Sequence, residues 1–195
     1  IGVYTLSILV FYLSSAPIQN MVSPQQAMNR SYDPLHLVNT YGAFGDIGKQ
    51  RNEIILKGTN DHPADPNARW REYQFNAKPG DIHRIPALVA PYHYRLDWQI
   101  WFAAMSDYKS NPWLVHFIYK LLQGNEGALS LIASDPFASE APTYIQADLY
   151  AYEFTANDDA TEAWWQRKHL YTWLGPLSLD DPALLEFIDH YGWRR

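Results

Sequence analysis

The 195-residue chain has no cysteine, which removes disulfide frameworks, Cys-ligated zinc and a thiol nucleophile together. A cysteine-free chain suits any compartment, an oxidising one included. Charge is also scarce: Asp, Glu, Lys and Arg make up 18% of residues, with a net charge of −6. Basic side chains adjoin only at Arg167-Lys168 and Arg194-Arg195, so the basic face that nucleic acid requires is missing and no such partner is expected. G-x-S-x-G, H-E-x-x-H and H-x-H patterns are absent, which argues against a serine-hydrolase elbow and a helical zinc site. Gly42-Ala43-Phe44-Gly45 is the spacing of a turn and not of a phosphate cradle. No cofactor and no metal are expected.

What the chain does have is apolar and aromatic mass. Hydrophobic residues reach 47% and aromatics 15%, with 8 Trp, 14 Tyr and 8 Phe. That excludes disorder and suits one domain with large rings in its core and polar tips at the edge. The densest stretch is Pro91 to Ala104, where Tyr92, His93, Tyr94, Trp98, Trp101 and Phe102 put six rings beside Arg95 and Asp97. Such a mixture forms either a polar network inside a core or the rim of a recognition surface.

Along the chain, Ile1 to Leu13 is mostly apolar but shorter than the ~20 residues of a spanning helix, and it lacks a basic leader. It reads as a core element or as the end of a membrane span. The start at Ile1 rather than Met leads us to expect a piece of a longer protein. Ser14 to Pro34, with three prolines, reads as a connector, so residues 1–34 are set apart from a domain over 35–195. Leu35 to Phe44, Glu53 to Lys57 and Trp70 to Phe75 read as strands joined by short turns, hence antiparallel. A helix follows from Leu96, with Trp98, Trp101, Phe102 and Met105 as its buried face. Asn111-Pro112 opens another, with Leu114, Phe117, Ile118, Leu121 and Leu122 at helical spacing. A short helix is expected near Glu126 to Ala133, a central strand over Tyr144 to Phe154, an amphipathic stretch over Trp164 to Leu170, and a last helix from Asp181-Pro182. The class is α+β: a largely antiparallel, sandwich-like sheet with several helices packed on it.

Candidate chemistry is weighed residue by residue. His93 and Asp97 are spaced i, i+4; a hydrogen bond fixing the helix start is the plainer reading, and a metal pair lacks a third ligand. Arg95 and Asp97 are expected to form a buried ion pair satisfied by tyrosine hydroxyls, within a structural network of Tyr92, His93, Tyr94, Arg95, Asp97 and Trp98. Glu53, Glu72 and Glu153 could supply the carboxylate pair of a glycosidase, but they read as edge or surface residues. Asn29-Arg30-Ser31 is a glycosylation sequon of little weight.

Several motifs recur together and in order. Leu37 to Gly45, Arg51 to Thr59, Lys78-Pro79-Gly80-Asp81, Pro91 to Trp98 with Trp101 to Ala104, Asn111-Pro112-Trp113, Asp135-Pro136-Phe137, Trp164 to Lys168 and Pro176 to Leu179 resemble the C-terminal domain of the lipase maturation factor family. The resemblance covers about residues 35 to 193. It implies a multi-pass membrane protein whose C-terminal domain lies outside the cytoplasm, in the endoplasmic reticulum lumen of animal relatives. It also implies a non-enzymatic, chaperone-like role in folding or assembling secreted lipases, so the expected partners are a client lipase and, through segments upstream, the membrane. Animal members carry cysteines here and this chain has none, which suggests a bacterial member, exposed to the periplasm or exterior. Tyr41, Phe44, Arg51, Trp164, Trp165 and Arg167 are the candidate partner-binding residues. Two other readings stay open: a lid or substrate-binding module of a membrane-embedded enzyme, and a carbohydrate-binding module.

Overall fold

The structure, a computed structural model, describes residues 2–25, 33–40, 50–137, 140–156 and 162–194. The chain divides into two units, Ile1–Lys49 and Gln50–Arg195. The sequence reading places the division earlier, at Pro34.

In the first unit the apolar start is helical. Helix α1 spans Gly2–Leu13 and α2 spans Ser15–Val22, and neither buries a side chain. The helical stretch Gly2–Val22, 21 residues with a mean hydropathy of 1.2, is long and apolar enough to cross a membrane. The connector expected from Ser14 therefore begins at Ser23, nine residues later. The Ser14 hydroxyl donates to the Val10 carbonyl at 2.7 Å, and Pro17 falls in the first turn of α2, where proline is tolerated. Leu35 to Val38 is a turn and not a strand, because the Asp33 carboxylate collects the amides of Leu35, Leu37 and Val38 at 2.8, 3.3 and 2.7 Å. His36 takes a left-handed φ of 54° within it. The strand reading for Tyr41 to Phe44 lies outside the described residues.

The second unit is built on a four-stranded antiparallel sheet in the order β2-β1-β3-β4, with β1 Arg51–Thr59, β2 Arg71–Glu72, β3 Tyr144–Phe154 and β4 Trp165–Leu177. The fold is α+β, as the sequence indicates, and helices supply the second layer. Period-two alternation sorts the strands: Ile54, Leu56, Ile145, Ala147 and Leu149 enter the main core, whereas Ile55, Tyr152 and Trp165 form a smaller cluster on the opposite face. The strand expected over Trp70 to Phe75 shrinks to two residues plus a bridge between Gln74 and Ser134, although Tyr73 and Phe75 are buried as the alternation requires. The amphipathic stretch read over Trp164 to Leu170 lies at the start of a 13-residue strand, Trp165–Leu177, the fourth of the sheet.

Helix α4, Pro112–Leu122, buries Leu114, Phe117, Ile118, Leu121 and Leu122 as their spacing demands. Asn111 precedes it, but its side chain donates back to Ser106 Oγ and the Asp107 carbonyl and makes no cap. Asn125 and Asp181 do cap α5 (Glu126–Leu129) and α6 (Pro182–His190), accepting from Ala128 and Ala183. Gly124 and Gly192 carry the positive φ that ends α4 and α6.

Helix α3, Arg95–Ala103, reverses the expected face. Asp97, Ile100 and Ala103 are buried, while Trp98, Phe102 and Met105 are exposed. Spacing alone fits either stripe. The narrower one, with a small alanine, is the one that lets the helix lie close against β1.

Candidate functional site

On the sheet face away from α4, the coil of residues 76–94 crosses β1 and β3 and leaves a cleft of about 240 Å³ against the start of α3. The crossing is pinned by polar groups that the apolar strands would otherwise leave unsatisfied. Tyr152 donates its hydroxyl to the Gly80 carbonyl at 2.8 Å, and the Trp165 indole donates to the Arg84 carbonyl at 3.2 Å. The Arg84 guanidinium forks onto the carbonyls of Phe75 and Asn76. Trp98, Trp101, Phe154 and Trp165 line the cleft together with Ile85, Pro86, Ala87 and Val89 and the charged Arg51, Lys78, Arg84 and Asp97.

These charges form a cluster that is buried at Glu53, Lys78 and Asp97 and open to solvent at Arg51. Lys78 Nζ lies 3.5 Å from Glu53 Oε2, and both side chains are withdrawn from solvent. Arg51 Nε reaches the other Glu53 oxygen at 2.8 Å and its guanidinium sits over the Trp101 ring. Asp97 Oδ2 accepts the amides of Ala77 and Lys78 at 2.6 and 3.0 Å, whereas Asp97 Oδ1 is buried without a partner. Burial pushes the Lys78 ammonium down from its ordinary pKa, and the Glu53 and Asp97 carboxylates oppose that shift. Beside it, Arg167 makes a bidentate pair with Glu72 at 2.8 and 2.9 Å and donates to the Tyr152 hydroxyl at 3.2 Å. The Glu72 hydrogen bond raises the Arg167 pKa further, and burial pushes Tyr152 up to about 12.

The structure takes the expected network apart. Only Asp97 is buried, at 5% exposure; Tyr92 stands at 87%, and His93, Tyr94, Arg95 and Trp98 are also exposed. Asp97 holds backbone amides and not Arg95, whose side chain faces water. The hydrogen bond expected between His93 and Asp97 is replaced by stacking of His93 near Trp98, at a centroid distance of 6.4 Å. His93, Trp98 and Phe102 form one run of rings, since Trp98 also meets Phe102 edge-on at 5.2 Å.

Among the candidate partner-binding residues, Trp165 is buried at 6% and stacks on Phe154 at 4.2 Å, so it is a wall and not a free surface. Arg167 is committed to Glu72, Arg51 is exposed where it lines the cleft, and Trp164 is exposed. Tyr41 and Phe44 lie outside the described residues. The glycosidase carboxylates separate: Glu53 is fully buried rather than at an edge, and Glu72 is bound by Arg167. Sequence reasoning passed over Lys78 as a charge partner and placed Glu53 at an edge or surface, whereas the two are buried together. The signal was available: a glutamate leading an unbroken Ile-Ile-Leu run in a covered strand has no solvent side, so it demands a cation.

A four-stranded antiparallel sheet backed by helices defines this as an α+β domain. Residues 37–174 match the lipase maturation factor C-terminal domain, and the chain belongs to the lipase maturation factor family. It is 42% identical to lipase maturation factor 1 of Homo sapiens over 194 residues, 97% of this chain and 34% of that protein. Identity to lipase maturation factor 1 of Mus musculus is 44%, covering 97% of this chain and 33% of the relative. For lipase maturation factor 2 of Xenopus laevis it is 34%, covering 98% and 28%. The chain thus spans about a third of the length of these curated relatives. No solved structure matches it.

Proposed function

We propose that this chain is a non-enzymatic, chaperone-like interaction domain of a membrane protein, acting outside the cytoplasm in the folding or assembly of secreted lipases. The family membership supports the lipase connection, and the 21-residue apolar helical stretch supports attachment to a membrane. The observation that carries the binding role is the exposed apolar surface around the cleft. Ile85, Leu88, Tyr92, Tyr94, Trp98 and Phe102 all lie open to solvent along the coil and α3. Contiguous patches of this kind mark interaction sites on soluble surfaces. They are also the surface that an incompletely folded client, with its own apolar residues uncovered, would cover.

The test is capture of a secreted dimeric lipase during refolding. The wild-type chain is expected to retain the lipase, and a Trp98→Ala/Phe102→Ala variant of unchanged melting temperature is expected to release it. A Trp164→Ala variant should capture as the wild type does. Equal capture by all three would remove the proposed surface.

A further inference from the structure

We infer that the open edge of β4 is a strand-addition site, taking one extended polypeptide segment with an acidic residue opposite Lys168. The segment would become the fifth strand of the sheet. The inference adds a second contact surface to the client-binding reading, and it rests on that reading only for the segment's origin in a client.

The sheet order leaves β4 paired on one side alone, by β3. It is the longest of the four strands, and Gln166, Lys168, His169, Leu170, Tyr171 and Thr172 are all exposed. Among the described residues, its other side has one backbone partner, the Ile82 carbonyl, which takes the Trp164 and Trp165 amides at 2.9 and 3.1 Å. Thr155 donates to the Trp164 carbonyl at 3.2 Å, and this sets the phase of the ladder. Hydrogen-bonded and non-hydrogen-bonded pairs alternate along an antiparallel pair, so Gln166 and Lys168 bond toward β3 while Arg167 and His169 turn outward. Their two amides and two carbonyls have no strand beside them. The register shift past Tyr150 bends the strand beyond His169, and Pro176 supplies no amide farther on, so the open window is short.

The backbone selects the class of occupant. Donors and acceptors alternating at the rise of a strand are matched by another extended polypeptide, and neither a lipid nor a glycan repeats them.

Charge selects between a second copy of this chain and a different segment. Two copies pair antiparallel with both Arg167 and His169 engaged in one register only, in which Arg167 of each meets His169 of the other. That register sets the two Lys168 side chains directly opposite one another, where like charges are destabilising. The neighbour of Lys168 on β3 is Ala151, so an acidic side chain has to come from the open side. Asp or Glu in the incoming strand supplies it. Leu170 and Tyr171, both exposed, then receive an apolar residue near that acid.

The experiment titrates the full chain, in detergent micelles, with labelled nine-residue peptides of alternating Val and Thr bearing Glu, Gln or Lys at the centre. Fluorescence anisotropy is expected to rank them Glu, Gln, Lys, with Glu about tenfold tighter than Lys at low salt. Lys168→Glu, a change at an exposed position, should invert that order. Backbone N-methylation of one alternate set of amides in the Glu peptide should weaken it by at least about tenfold, and methylation of the other set should leave it nearly unchanged. If Lys168→Glu does not fold, the two methylated peptides still decide the matter on the wild type. Equal effects of the two methylation sets, a missing order among the three peptides, or a sedimenting dimer that the Glu peptide dissociates would each overturn the proposal. Lipase capture without peptide binding removes the edge site and keeps the client reading. Peptide binding as expected beside a lipase that is never captured keeps the edge site and removes the client.

Discussion

Lys78 and Glu53 face one another between the crossing coil and β1, Nζ 3.5 Å from Oε2, with both side chains closed off from water. Removing Lys78 leaves the buried Glu53 with the half-exposed Arg51 alone to neutralise it. Lys78→Met is expected to destabilise the domain by about 3–5 kcal/mol, and Lys78→Met/Glu53→Leu is expected to recover most of that loss. Chemical denaturation of both variants beside the wild type checks this. A double variant no better than the single would show that the ammonium does more than neutralise Glu53.

The two faces of α3 should respond oppositely to truncation. Ile100→Ala removes a fully buried side chain and should cost about 2–5 kcal/mol. Trp98→Ala, at a side chain 46% exposed, should cost roughly 1 kcal/mol or less and act mainly on binding. Thermal melts of the two variants separate these outcomes; a Trp98 variant as unstable as the Ile100 variant would reinstate the face read from the sequence.

Alkaline pH should weaken the domain through Tyr152. Burial raises its pKa from 10.0 to about 12 in the folded state, so the folded chain keeps a proton that the unfolded chain loses first. The contribution is complete below pH 10 and disappears as pH climbs from 10 to 12, up to about 3 kcal/mol. Tyr73, also raised by burial, acts with the same sign. Tyr152→Phe is expected to be less stable at pH 7, having lost the bond to Gly80, but to show a shallower decline in denaturation midpoint between pH 10 and 12. An unchanged slope would contradict the assignment.

Gly58 is required for space and not for its backbone angle. A Cβ there would lie 2.8 Å from Phe137 Cε2 and 3.0 Å from Pro142 Cβ. Gly58→Ala should therefore destabilise by about 1–3 kcal/mol, as overpacking does. Gly175→Ala, where a Cβ meets nothing within 4 Å, should be near neutral and serves as the control.

How much of this was legible depended on whether one contact or several decided a residue's place. Helix α4 was readable because it has one broad apolar stripe, and strand β3 because its strict alternation serves a core on each face. Helix α3 was not, since a wide aromatic stripe and a narrow Ile100-Ala103 stripe both satisfy its period, and the choice depended on how close β1 lies. The strand expected at Leu35 to Val38 lost to a single side chain, because Asp33 offers three amides a better partner than a neighbouring strand. The family resemblance, of which Pro91 to Trp98 was the strongest of several motifs, was right about kinship. Yet the role assigned to those residues failed, since the partners of Asp97 come from Ala77 and Lys78, twenty and nineteen positions away. The cleft was invisible for the same reason: its walls come from α3, β3, β4 and the coil, which only the folded sheet brings together.

The coil from Ile85 to Tyr94 lies between two fixed points, the Arg84 fork on one side and the Asp97 carboxylate on the other, while nearly all of its own side chains are exposed. Mutations within it scarcely touch the core. Its first half, Ile85 to Ala90, lies outside the run shared with the family, so a designer could rewrite those six residues and leave the sheet and the Pro91 to Trp98 run as they are.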